Sequence, residues 1–137
     1  MPTGEPPAEA IRYRALIVED DPAIRRLVSK ILVRRGIDIE AAHDGRQAIE
    51  KLSSEHFDVL VLDLMVPEIN GFELIEFIKQ QNMKIPVAVV SAVSQQALTK
   101  LDLDVVKLVI SKPFDVDEFT KGILEVCEDA TRRSQES

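Results

Sequence analysis

The stretch from Phe57 to Gly71, FDVLVLDLMVPEING, constrains the fold more than any other part of the chain. Val59, Leu60, Val61, Leu62 and Leu64 surround a single carboxylate, Asp63. A short, unbroken run of Val and Leu predicts a strand buried on both faces of a parallel sheet. Pro67, Asn70 and Gly71 mark a loop beyond it, which puts Asp63 where that strand ends. In open α/β sheets ligands bind at the carboxyl ends of the strands, so an acid there is placed for chemistry. A strand-end Asp that only caps a turn is the plainer reading of one Asp taken alone, and the rest of the chain decides between the two.

The remaining segments repeat one alternation. Residues 1–11 are rich in Pro, Glu and Ala and read as a disordered leader. Arg12 to Val18 carries a first buried strand, ALIV, which stops at Glu19-Asp20-Asp21-Pro22. Asp21 is a good helix N-cap and Pro22 suits the first helical position. Ile24, Leu27, Val28, Ile31 and Leu32 follow at helical spacing, and Gly36 ends that helix. Ile37 to Ala42 predicts a second strand, and Asp44 caps a helix carrying Ala48, Ile49 and Leu52. After the Asp63 strand, Asn70-Gly71-Phe72-Glu73 reads as a capping box opening a third helix. Pro86 to Ala92 predicts strand four, Ser94 to Leu103 a weaker helix four, and Lys107 to Ile110 strand five. Asp115 then caps a last helix bearing Phe119, Ile123, Val126 and Cys127, and residues 131–137 form a polar tail. Five strands alternating with five helices imply one α/β domain, residues 12–130, with a parallel sheet covered on both faces.

Composition excludes several classes. A net charge of −7 argues against a surface that tracks nucleic-acid phosphates. The single Cys127 leaves no internal disulfide and fits a reducing compartment. The sequence has no apolar run of membrane-span length, and its N-terminus lacks the pattern of a signal peptide. The expectation is a cytoplasmic protein, a monomer or weak homodimer, with no nucleic-acid or membrane partner.

By this count three more clusters fall on the sheet edge that carries Asp63. They are Glu19 and Asp20 after strand one, Ser91 and Ala92 after strand four, and Ser111, Lys112, Pro113 and Phe114 after strand five. Neighbouring carboxylates repel, and a hard divalent cation removes the conflict. Mg²⁺ suits oxygen donors and keeps several of its waters. Asp63 and Asp20 are candidate direct ligands, with Glu19 a candidate ligand through a water. A cation beside a carboxylate, a hydroxyl and a Lys is what phosphoryl transfer requires. An Asp carboxylate can itself be the nucleophile and form an aspartyl phosphate.

These residues carry a resemblance. LIVED after strand one, VLDLMVPEING at strand three, VVSA after strand four and ISKPF after strand five are similar, in order and spacing, to the receiver domain of two-component response regulators. The match runs from Arg12 to about Asp129. The resemblance implies a flavodoxin-like sheet of order 2-1-3-4-5 and a phosphoacceptor at Asp63. It implies a Mg²⁺ site of Glu19, Asp20, Asp63 and the Met65 backbone carbonyl, with phosphoryl contacts from Ser91, the Ala92 N–H and Lys112. It also implies a cis Lys112–Pro113 bond and a sensor histidine kinase or phosphotransfer protein as phosphodonor, the output partner staying unspecified.

The chain departs from that family at four places. The aromatic usually found three residues before the Lys is Val109. The Gly-Ala usually opening strand five is Val105-Val106. The positions two beyond Asp63 and two beyond Ser91 are Met65 and Val93, both apolar. The reacting groups are intact, so the differences bear on how a signal reaches the surface around helix four and strand five. Three rival readings stand beside a stand-alone receiver. A haloacid-dehalogenase-like phosphatase needs a second acid two residues past Asp63, where Met65 stands; Asp102-Leu103-Asp104 has the spacing, but no buried strand precedes it. A flavodoxin-like nucleotide binder wants a phosphate loop where this chain has Glu19-Asp20-Asp21-Pro22. A phosphorylation-independent interaction module would not need the intact site.

Overall fold

The computed structural model describes residues 12–66 and 68–136, with side chains through Arg132. The leader read at residues 1–11 lies outside the described residues. Ten elements alternate: β1 (Arg14–Val18), α1 (Pro22–Arg34), β2 (Asp38–Ala42), α2 (Gly45–Ser54), β3 (Val59–Leu62), α3 (Gly71–Gln80), β4 (Val87–Ser91), α4 (Gln95–Leu98), β5 (Val106–Ser111) and α5 (Val116–Glu136). The strands form one sheet in the order β2-β1-β3-β4-β5, every pair parallel. This is the architecture and order expected from the sequence.

Apolar strands need cover on both faces, and two clusters supply it. On one face Leu16, Val18, Leu60, Leu62, Val87 and Val89 pack with Leu74, Ile75 and Ile78 of α3 and Ala48 of α2. On the other Ala15, Ile17, Val59, Val61, Ala88 and Val90 meet Val28 and Leu32 of α1 and Phe119, Ile123 and Cys127 of α5. The buried Cys127 thiol is pushed up to about 12, chiefly by burial and then by Asp58 and Glu128. It is a packing residue, as its place on the last helix suggested. Among the described residues no helix is long and apolar enough to cross a membrane.

Local chemistry sets the helix starts as predicted. The Asp21 carboxylate accepts from the N–H groups of Ala23 and Ile24, with Pro22 in the first turn of α1. Asp44 accepts from Gln47 N–H, and Asn70 and Glu73 form a reciprocal capping box. Helix α1 ends at Arg34, and Gly36 just beyond its C-cap has a φ of 79°, which costs a glycine little. At the start of α3, a Cβ on Gly71 would lie 2.5 Å from Leu64 Cα, so only glycine lets this helix close on the end of β3.

Two elements differ from expectation. Helix four, expected over Ser94–Leu103, is only Gln95–Leu98. Past it the chain tightens into i→i+3 bonds, Lys100 N–H to Ala97 O and Leu101 N–H to Leu98 O, while the Thr99 hydroxyl binds Gln96 O at 2.6 Å. Asp102 then accepts Asp104 N–H at 2.8 Å and ties to Lys79 of α3 at 2.8 Å, a turn rather than a helix. At the other end of the chain, α5 continues through the polar residues 131–136 without a break. In β5, Val106 pairs with Val87 but Leu108 pairs with Ala88, so Lys107 is an extra residue, a bulge. The bulge changes the alternation: Val106 packs on the α3 side, Leu108 and Ile110 on the α5 side.

Candidate functional site

Sheet hydrogen bonds bring the predicted residues to one edge. Glu19 N–H binds Ala42 O at 3.1 Å, Asp63 N–H binds Val18 O at 3.0 Å, and Lys112 N–H binds Ser91 O at 3.0 Å. Each site residue is thus the next rung beyond a strand end, anchored to its neighbour's backbone. Glu19, Asp63 and Ser91 are buried, at 4%, 7% and 1% exposure. Asp20 and Ala92 are exposed at the rim. Carboxylate oxygens of Glu19, Asp20 and Asp63 all lie within 4.8 Å of one another.

Asp63 is surrounded by donors. Ser91 Oγ donates to its Oδ1 at 2.9 Å, Met65 N–H donates to Oδ1 at 3.0 Å, and Lys112 Nζ donates to Oδ2 at 3.1 Å. Lys112 Nζ also reaches Glu19 Oε1 at 2.5 Å. Met65 is 64% exposed, and the group by which it touches Asp63 is its backbone N–H. The Lys112–Pro113 bond is cis, the isomer expected from the resemblance.

Burial raises the cost of charge for all three bonded groups, and their partners decide the outcome. For Asp63 burial favours the neutral acid, but the Met65 N–H, the Ser91 hydroxyl and Lys112 outweigh it and hold the carboxyl below its ordinary range. For Glu19 burial wins over Lys112 and the Asp21 N–H, and the Asp63 charge adds to it, so its carboxyl is raised. Burial disfavours the Lys112 ammonium, yet Glu19 and Asp63 more than compensate and its pKa rises. These partners thus favour an ionised Asp63 beside a protonated Lys112, while burial disfavours charge on Glu19. Three convergent carboxylates make a hard oxygen donor set, and Mg²⁺ fits it.

The other candidates fall elsewhere. Asp102 and Asp104 precede β5, at the opposite edge of the sheet from Asp63, so they offer a phosphatase no second acid there. His43 and His56 lie on the surface beside Asp44 and Asp58. The sequence reading missed Arg25, whose Nη1 donates to Glu19 O at 2.8 Å and Asp20 O at 3.3 Å. Its signal is a basic residue at the close of the first turn of the helix that follows the acidic pair.

Comparison with known proteins agrees with this geometry. The response regulator receiver domain family matches residues 15–124. The chain is 31% identical to the alkaline phosphatase synthesis transcriptional regulatory protein SphR of Synechococcus elongatus, over 97% of this chain and 54% of that protein. It spans about half or less of the length of the first curated relatives it matches. Among solved structures, a Francisella response regulator 1452 receiver domain superposes with a TM-score of 0.80 at 26% identity, covering 85% of this chain and 98% of that one. The response regulator TrrA of Thermotoga maritima, solved in complex with Mg(2+)-BeF, gives a TM-score of 0.76 at 26% identity, covering 83% and 98%. The matched span begins in β1 and ends within α5, so it takes in the whole sheet, and on that ground the chain belongs to the response regulator receiver domain family of two-component signalling.

Proposed function

We propose that the chain is a phosphoacceptor switch in which an Asp63 carboxylate oxygen attacks phosphorus on a phosphohistidine of a sensor histidine kinase or phosphotransfer protein. The new bond is O–P, the bond broken is P–N, and the electron pair leaves with the imidazole. The observation that carries this reading is the convergence of Glu19, Asp20 and Asp63 with Ser91 and Lys112 bonded to Asp63. Glu19, Asp20, Asp63 and the Met65 carbonyl would hold Mg²⁺, which supplies charge neutralisation for the phosphoryl oxygens when bound. The depressed Asp63 pKa keeps the nucleophile ionised at neutral pH. Lys112, anchored by its backbone to Ser91, is set to follow charge from the carboxylate to the phosphoryl oxygens. Ser91 and the Ala92 N–H complete the oxygen contacts. The phosphorylated chain then alters its binding to an output partner, in a cytoplasmic setting that fits the lone buried Cys127.

The experiment is incubation with Mg²⁺ and acetyl phosphate, followed by intact-protein mass spectrometry. Wild type gains one acid-labile phosphoryl group and Asp63→Asn gains none. Equal labelling of both would overturn the assignment. Mg²⁺ alone raises the melting temperature of wild type, because it binds the folded carboxylate cluster and not the dispersed acids of the unfolded chain. Asp20→Asn weakens that rise, and an unchanged response would remove Asp20 from the site.

A further inference from the structure

Arg25 is the fourth residue of α1, and its side chain turns back toward the sheet edge. Nη1 donates to the backbone carbonyls of Glu19 and Asp20, at 2.8 and 3.3 Å. Arg25 is itself fixed. Its N–H binds Asp21 O at 2.9 Å, and its carbonyl accepts the Ser29 hydroxyl at 2.7 Å. Residues 19–21 belong to neither strand nor helix. The Glu19 N–H bond to Ala42 O and the Asp21 N–H bond to Glu19 Oε2 at 3.2 Å tie the two ends of this segment, while the Glu19 and Asp20 carbonyls are the ones Arg25 takes. A guanidinium nitrogen shared by two consecutive carbonyls ties this short segment to the helix that follows it.

We propose that Arg25 is a positioning residue for the metal site. By bridging the Glu19 and Asp20 carbonyls it holds the β1–α1 connection in the conformation in which both carboxylates reach Asp63. The inference rests on the Mg²⁺ reading above and adds a residue to it. Among the ion pairs of the described residues, Lys112 takes oxygens of Glu19 and Asp63, whereas Arg25 takes none. The guanidinium therefore orders the acidic pair without competing for the oxygens that a cation would use. Groups that hold metal ligands in place, without touching the metal, commonly change its affinity 10–100-fold.

The sign of the effect separates positioning from charge. A cation near the site repels Mg²⁺, so if charge alone mattered, removing Arg25 would tighten Mg²⁺ binding. If Arg25 positions the acids, removing it loosens binding. Mg²⁺ titrations followed by backbone amide NMR shifts, on wild type, Arg25→Ala, Arg25→Lys and the exposed-neighbour control Arg26→Ala, read this directly. The half-saturating Mg²⁺ concentration rises about 10-fold in Arg25→Ala. It lies between the two in Arg25→Lys, which keeps one donor nitrogen. It does not rise in Arg26→Ala. At saturating Mg²⁺ the acetyl phosphate labelling rate of Arg25→Ala returns to within about twofold of wild type, because the reacting groups are untouched. Should Arg25→Ala fail to fold, Arg25→Gln is read in its place against the same threshold. Binding as tight as wild type or tighter in the Arg25 variant, or equal weakening by Arg26→Ala, overturns the proposal. Absence of any Mg²⁺ binding by wild type would instead bring down the reading of the site itself.

Discussion

Ser91 and Asp63 are joined by a 2.9 Å hydrogen bond between strand ends 28 residues apart in sequence, with the serine 1% exposed. The hydroxyl thus already faces the acceptor carboxylate. On the neighbouring edge strand, Val109 is 38% exposed and holds the place where the family has an aromatic ring. A β-branched side chain has one favoured χ1 and no ring to swing, so it reports little by changing rotamer. A phosphoryl group adds roughly −2 charge beside Ser91 and Lys112. We expect beryllofluoride, a phosphoryl mimic, to shift amide resonances of residues 91–101 while the Val109 methyls stay nearly still. Large Val109 shifts with a quiet 91–101 segment would reverse that assignment of the route.

Lys112 clamps two buried carboxylates, Glu19 and Asp63, and its loss leaves both without their cation. In Mg²⁺-free buffer at neutral pH, Lys112→Met lowers unfolding stability by about 2–4 kcal/mol, the lower part of the range reflecting partial exposure. Mg²⁺ binds the same carboxylates, so adding it recovers much of that loss. Urea unfolding with and without Mg²⁺ measures both, and a variant as stable as wild type without Mg²⁺ would contradict the clamp.

Two glycines at helix positions differ in what a methyl group would meet. At Gly71 it would lie 2.5 Å from the Leu64 Cα, which is backbone, and Gly71→Ala costs about 3 kcal/mol. At Gly122 it would lie 2.8 Å from a Leu108 methyl, which can move, and helix propensity returns about 1 kcal/mol. Gly122→Ala is therefore within about 1 kcal/mol of wild type. Thermal unfolding of the two variants should rank them in that order.

The Lys79–Asp102 pair at 2.8 Å ties α3 to the turn before β5. Asp102 is held below its ordinary value first by the Lys79 ammonium and then by the Asp104 N–H. A carboxyl with a lowered folded pKa adds stability above its unfolded pKa, about 3.9, and loses it as pH falls through the lower folded value. The urea midpoint of wild type exceeds that of Lys79→Met at pH 7, and the gap closes on acidification below about pH 4. A gap that persists unchanged in acid would mean that Lys79 acts through its aliphatic stem instead.

Much of this arrangement was legible because its signals are local and redundant. The runs ALIV and VLVL are short, rich in β-branched residues and bounded by turn signals, as buried strands are, and Asp21, Asp44 and the Asn70–Glu73 box announce the helices that follow them. Four polar clusters at strand ends pointed to the candidate site once the alternation implied the sheet. What stayed hidden depends on tertiary geometry. Ala97, Leu98 and Leu101 have helical spacing and suggest a longer helix, and nothing in the order of residues reveals that Asp102 will find Lys79 on another helix. Lys107 to Ile110 reads as a plain strand, because a bulge is a mismatch with a partner and not a property of one segment. Arg25 looks like any solvated helix cation until its side chain is seen to turn back on the Glu19 and Asp20 carbonyls.

The bulge at Lys107 also bears on how copies of this chain meet. An open parallel sheet has two edge strands whose free backbone groups invite another strand to add on. Here β5 presents a kinked ladder and a lysine, and β2, at the far edge, carries Asp38 and Glu40. A second sheet approaching either edge would have to strip water from these charges and, at β5, match an irregular backbone. Both margins are thus blunted, which makes strand addition at either edge of the sheet costly.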